Sequence, residues 1–234
     1  VHVPDGFLDL PTSTATGVVA AGAIGLAVWR SRTEAVDDRR APMIGIVATV
    51  IFAGQMVNFP VGAGTSGHLL GATLAALLVG PWTAVLVLSV VLIVQALLFA
   101  DGGITALGTN ITLMGVVGVA VGWLVARAVI ALLPKRRWAL LVAGGVGALL
   151  SVPAAAAVFS LLFAIGGQAP VELGAVLAAM VGWHAIIGVG EAAITVAILA
   201  AVLATRPDLV YAARFIQPAT TSPTEVVARP EVAA

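Results

Sequence analysis

The sequence contains no cysteine, which excludes a disulfide framework and any metal centre built on thiolates. Charge is almost as scarce. Only 9% of the 234 residues are Asp, Glu, Lys or Arg, against roughly 25% in soluble globular domains. The 11 basic and 11 acidic residues cancel, so no bulk positive surface points to nucleic acid. Histidine occurs three times, at His2, His68 and His184. What is abundant is apolar: 61% of the chain is hydrophobic and the mean hydropathy is +1.13. With about 20 apolar residues needed per membrane crossing, the composition predicts an all-α, polytopic membrane protein, in contact with lipid throughout.

Apolar runs between turn signals predict about seven transmembrane helices, near 12–30, 42–58, 67–79, 81–99, 105–131, 138–166 and 174–204. Lys and Arg collect in cytoplasmic loops. Seven spans with the N-terminus outside put Arg30, Arg32, Arg39, Arg40, Arg127, Lys135, Arg136, Arg137, Arg206, Arg214 and Arg229 all on the inner side, and an even count would break that pattern. The C-terminus is then cytoplasmic. Residues 1–205 read as a transmembrane metal-binding domain. Residues 206–234, rich in Pro, Thr and Ser, read as a cytoplasmic disordered tail.

The third predicted helix is short. Thirteen residues rise only about 20 Å against a hydrocarbon core of about 30 Å, so the preceding "FPVGAGTSGH" must dip into the membrane. Irregular backbone is tolerated at that depth only inside protein or along a cavity. This stretch is therefore expected to wall a pocket open to the outside, with His68 at its inner edge.

A histidine at position 2 has an unusual chemical option. The amine of Val1, the deprotonated amide of His2 and the His2 imidazole can close adjacent chelate rings on one cation, and His68 can complete a four-nitrogen plane. Such sites suit Ni(II) or Cu(II), and low-spin Co(II) accepts them; Mg and Ca, which want oxygen, do not. A frayed terminus is the alternative, but "PDGF" opposes it: Pro4 stiffens the segment, Asp5-Gly6 turns it, and Phe7 gives it something to bury. Gln55, Asn58, Ser66, Gln95, Asp101 and Asn110 cluster at the outer helix ends. Any one can be a plain structural hydrogen bond. Together, Asn58, Ser66, Asp101 and Asn110 are the kind of partners that orient ligating imidazoles, with His184 as a support for the pocket floor. His184 and Glu191, seven residues apart, share one helical face.

Two other readings are open to these residues. Ser66 and His68 in "TSGH" invite an intramembrane hydrolase, although no G-x-S-x-G pattern surrounds the serine. A metal receptor that transports nothing is the second. "GAGTSGH" lacks the lysine of a phosphate-binding loop, so the chain has no nucleotide site of that kind, and energy for transport must come from elsewhere.

The stretches "HVPDGFL", "NFPVGAGTSGHLLGATLAALLVGPW", "LIVQALLFADGGITALGTNITLMG" and "HAIIGVGEAAIT", in this order, resemble the CbiM/NikM family, the substrate-binding components of energy-coupling-factor transporters for cobalt and nickel. The resemblance runs over roughly residues 1–200. It implies an importer subunit rather than an enzyme, with Co2+ feeding cobalamin biosynthesis as the cargo and Ni2+ as the alternative, and no cofactor of its own. It also implies a ligand set corresponding here to Val1, His2 and His68. The implied partners are a transmembrane coupling protein, two cytoplasmic ATPase subunits and a small accessory membrane protein. Family members begin with Met where this chain has Val1; a main-chain amine serves in either case.

Overall fold

A computed structural model describes residues 2–33, 40–62 and 65–216. The chain forms α1 (Leu10–Thr33), α2 (Arg40–Gln55), a hairpin of β1 (Phe59–Gly62) and β2 (Thr65–Gly67), α3 (Ala72–Val79), α4 (Pro81–Leu98), α5 (Leu107–Asn110), a π-helical stretch (Ile111–Val117), α6 (Gly118–Leu132), α7 (Arg137–Gly166) and α8 (Leu173–Thr205). The run from α5 to α6 is one continuous span, which leaves seven helical segments in the bundle among the described residues, where seven transmembrane helices were expected. Five of them are long and apolar enough to cross a membrane: α1, α4, the α5–α6 span, α7 and α8.

The long helices each bury one stripe and leave apolar side chains exposed on the other faces. In α8, Met180, His184, Ile187, Glu191, Thr195 and Leu199 are buried, while Trp183, Ile186, Val189 and Ile194 between them are exposed, the 3.6-residue period of an amphipathic helix in reverse polarity. α7 and α8 pack along their length. Pro153 in α7 cannot bond the Leu149 carbonyl, and that carbonyl instead faces Gly188 of α8, where a Cβ would stand 2.7 Å away.

The third segment differs from expectation. Its helix begins at Ala72 rather than residue 67, and the irregular loop is a β-hairpin pairing Phe59 with Gly67 and Pro60 with Ser66. A helix of eight residues rises only about 12 Å, and the hairpin with its following turn makes up the depth. Ala72 to Leu78 are all buried, so this short segment sits inside the bundle, where non-helical backbone is tolerated. Gly67 is needed for that packing, since a Cβ there would lie 2.7 Å from Ile187 Cδ1 of α8.

The tail boundary also moves. Two 3-10 turns, Pro207–Leu209 and Tyr211–Phe215, follow α8, and Val210, Ala212, Ala213 and Ile216 are buried. Polarity was a poor guide because "VYAARF" supplies apolar and aromatic groups ahead of the Pro/Thr run. Tyr211 packs under Gly80 at the α3–α4 joint. The rest of the expected disordered tail lies outside the described residues.

The two ends of the bundle are chemically distinct. One carries His2, the hairpin and Asp101. At the other, Arg30 lies over Trp82, Arg127 over Phe215 and Arg214 over Tyr211, with Arg136 and Arg137 at the α6–α7 connection.

Candidate metal site

The segment ahead of α1 is built into the bundle. Val3 is fully buried; its N–H donates to Asn110 Oδ1 at 2.8 Å, and its carbonyl accepts from Asn110 Nδ2 at 3.2 Å and Gly103 N–H at 2.9 Å. Asp5 accepts from the Thr105 N–H at 2.8 Å and hydroxyl at 2.5 Å, bonds that hold its carboxyl below the usual range. Phe7 packs on Phe159 and Phe163 at ring separations of 5.7 and 5.2 Å. Asp9 N–H then donates to the Gly166 carbonyl at 2.7 Å. Strapped down at each of these points, the segment carries His2 into the protein, where it is 5% exposed.

His2 and His68 meet there. Their ring centroids are 4.4 Å apart at an interplanar angle of 35°. His68 Nδ1 lies 2.7 Å from the Leu69 carbonyl; a carbonyl can only accept, so Nδ1 carries the proton and Nε2 is the edge able to face a cation. His2 Nδ1 lies 2.7 Å from Asp101 Oδ1. Burial depresses the His2 imidazole below its ordinary range, so this ring is neutral near pH 7, the form a metal requires. Burial is the largest single influence on Asp101 and pushes it up, but the bonds and attraction of its neighbours, His2 first and Asn58 after it, together outweigh burial, and the carboxyl ends below its usual value. A neutral His2 therefore donates to an ionised Asp101, and its Nε2 is buried without a partner among the described residues.

A surface-opening cavity of about 410 Å³ is lined by His2, Pro4, Asn58, Phe59, Pro60, Gly62, Ser66, Asp101 and Gly102; His68, expected at its inner edge, is not among the lining residues and contacts His2 instead. The hairpin thus forms a wall of a pocket, and Asn58 Nδ2 donates to Asp101 Oδ2 at 3.1 Å across its rim.

Of the residues singled out from sequence, His2, His68, Asp101, Asn58 and Asn110 form one connected group, and Ser66 lines the cavity. Val1 lies outside the described residues. Asn110 acts on the main chain of Val3 rather than on an imidazole. His184 does not line the cavity: it is fully buried in α8, its Nδ1 donates to the Met180 carbonyl at 2.7 Å, and its Nε2 is unpartnered among the described residues. Helical spacing could not distinguish a pocket floor from this internal bond. The sequence reading also missed how Gln55 and Glu191 act. Gln55 Nε2 donates to the Leu70 carbonyl at 2.7 Å, and Glu191 accepts from the N–H groups of Leu70 at 2.5 Å and Gly71 at 2.9 Å. Buried ionisable side chains are the signal that marked Glu191, without naming its partner.

One geometric point bears on chelation. A ring closed with the amide of residue 2 has to use Nδ1 of the same side chain, and that atom is held by Asp101. Cation capture in this mode replaces the Asp101 bond. Among the described residues, no three His, Asp or Glu side chains gather in a metal-holding group.

Comparison with known proteins gives this geometry its context. The family model described as CbiM, cobalt uptake substrate-specific transmembrane region, matches residues 2–209. The chain is 38% identical over 211 residues to a protein of Archaeoglobus fulgidus named as a fused nickel transport protein, NikMN, covering 90% of this chain and 68% of that one. It is 35% identical over 217 residues to the cobalt transport protein CbiM of Sorangium cellulosum, covering 89% and 94%. The crystal structure of a truncated transition metal transporter superposes with a TM-score of 0.74 at 30% identity, over 87% of this chain and 99% of that one. These relatives are transporters, not enzymes, and the Ser66/His68 hydrolase reading falls with that finding. A multi-pass membrane bundle matched by this family model over nearly all its described length belongs to the CbiM family of substrate-specific transmembrane components in transition-metal transport.

Proposed function

We propose that the chain is the substrate-specific component of an energy-coupling-factor importer, and that it takes up Co2+ for cobalamin biosynthesis. The observation that carries this is the pairing of two buried imidazoles, His2 and His68, the first of them lining an open pocket, in a chain of this family. The cation is cargo. It enters from the cavity and is held by His2 Nδ1 and His68 Nε2, with the amide of His2 and the main-chain amine of Val1 completing a nitrogen plane. Asp101, released from His2, stays beside the site and offsets its positive charge. Nickel is the second reading, favoured by the likeness to the fused nickel transport protein over 90% of this chain.

The charge asymmetry of the bundle supports an orientation with the His2 end outside and the arginine end in the cytoplasm. There a transmembrane coupling protein, two ATPase subunits and a small accessory membrane protein would drive release inward, since this chain brings no phosphate-binding loop of its own. Uptake of radiolabelled Co2+ and Ni2+ by cells carrying the whole transporter, each competed by the other metal, tests both cargo and partners. Cobalt uptake that persists in the presence of excess nickel and needs the ATPase genes is the expected result; uptake independent of the ATPases would overturn the reading.

For Nδ1 of His2 to take the cation, the proton it donates to Asp101 must leave that nitrogen, the ring passing to the Nε2–H tautomer, while the His2 amide and the main-chain amine each release a proton. Affinity should therefore fall steadily between about pH 8 and about pH 5, as protons compete for those main-chain nitrogens. Equal affinity across this range, measured by competition with a chromophoric chelator, would remove the amide from the ligand set.

A further inference from the structure

We infer that Glu191 is a positioning residue for metal capture: it fixes to α8 the turn that carries His68, and so sets where the His68 imidazole meets the cation. The inference rests on the functional reading above and adds to it a residue outside the pocket. Glu191 is 2% exposed and sits midway along α8, far from the cavity-lining residues in sequence. Its carboxyl spans the turn with both oxygens, Oε2 accepting from Leu70 N–H at 2.5 Å and Oε1 from Gly71 N–H at 2.9 Å. Those two N–H groups lie in the turn immediately ahead of α3, whose N-terminus has no side-chain cap of its own. A side chain from another helix thus satisfies both donors of that turn, beside the positive end of the α3 dipole.

The rest of the turn is fixed just as closely. Gln55 of α2 donates to the Leu70 carbonyl at 2.7 Å, and His68 itself donates from Nδ1 to the Leu69 carbonyl at 2.7 Å. Gly71 holds a left-handed φ of 73°, and a Cβ there would stand 2.8 Å from Ile51. The backbone of 69–71 therefore has one arrangement, clamped between α2 and α8. His68 uses that backbone as the acceptor that selects its tautomer. A shift of the Leu69 carbonyl would turn the imidazole and move Nε2, which is how outer partners tune a ligating histidine.

Glu191→Gln is the discriminating substitution. The side chain keeps its size, but its NH2 faces a backbone donor and only one of the two bonds survives. The test is a double-mutant cycle on purified full-length protein with its natural N-terminus, comparing wild type, Glu191→Gln, His68→Ala and the double variant. Each is checked for folding by size exclusion, and Ni2+ affinity is read by chelator competition. Glu191→Gln should weaken binding in the wild-type background by roughly 10- to 100-fold, the range for lost outer partners, and shift the visible band of bound nickel. In the His68→Ala background it should have no further effect. Equal losses in both backgrounds, or a loss with an unchanged nickel spectrum, would make Glu191 a general structural residue and overturn the inference alone. Wild-type protein that binds neither Ni2+ nor Co2+ would overturn the functional reading, and this inference with it. Should Glu191→Gln fail to fold, Gln55→Leu takes its place in the cycle, acting on the same turn from the opposite side.

Discussion

The two ends of this bundle handle polarity in opposite ways. At the end bearing His2, polar side chains are drawn inside: His2, His68, Gln55, Gln95, Asn110 and Glu191 are all buried, and Gln95 has neither side-chain atom paired among the described residues. At the other end arginines lie across aromatic rings, Arg206 and Asp208 pair at 2.7 Å while half exposed, and the buried atoms without a partner among the described residues are Ser31 Oγ and Arg127 Nη1. Burying an unpaired polar group costs about 1–3 kcal/mol, so the first end, which holds more such atoms, gives up more stability to keep polar groups inside. That asymmetry is what a capture site at one face and a docking face at the other would require.

Removing a ligand should break the comparison most severely. His68→Ala is expected to weaken Ni2+ and Co2+ binding by more than the roughly 100-fold that loss of an outer partner can cost, with the fold intact by circular dichroism. Asn110→Ala comes next. It removes both side-chain bonds to Val3 and so loosens the segment that presents His2, and a loss of roughly 10- to 100-fold in affinity is expected by chelator competition. At the opposite end, Phe215→Ala removes the ring 3.5 Å beneath the Arg127 guanidinium. It should cost about 1 kcal/mol of stability in thermal unfolding and leave metal affinity unchanged, as loss of a cation–π contact would. A large effect of Phe215→Ala on binding by the isolated chain would erase the distinction between the two ends.

Much of this was legible in the sequence. Hydropathy and length set the number of helical segments, because a bilayer-facing helix advertises itself by an unbroken apolar run. The shortness of the third segment correctly announced a pocket wall, although its β-hairpin form was hidden: Gly, Pro and Thr in "FPVGAGTSG" mark a non-helical stretch without naming the pairing. His2 and His68 stood out by rarity, and "PDGF" announced an anchored terminus. Partners set by tertiary packing were less visible. Asn110 looked like a partner for an imidazole and instead holds Val3; His184 looked like a pocket floor and instead bonds one turn back along its own helix; Glu191 declared itself by burial alone. Residues 207–216 were misread because their small apolar cluster is short, and the surface on which it packs, the Gly80 joint, Trp123 and Arg127 among it, is assembled by tertiary contacts.

The proposed capture mode places main-chain nitrogens beside His2 and His68 on the metal. The most direct test compares the visible absorption of Ni2+-loaded protein bearing its natural first residue with that of the same protein extended by one glycine ahead of it. A planar four-nitrogen nickel spectrum that collapses on extension, as it should for His68→Ala, is the predicted result. The same spectrum and the same affinity in the extended protein would contradict the account and leave the N-terminal segment as an anchor only.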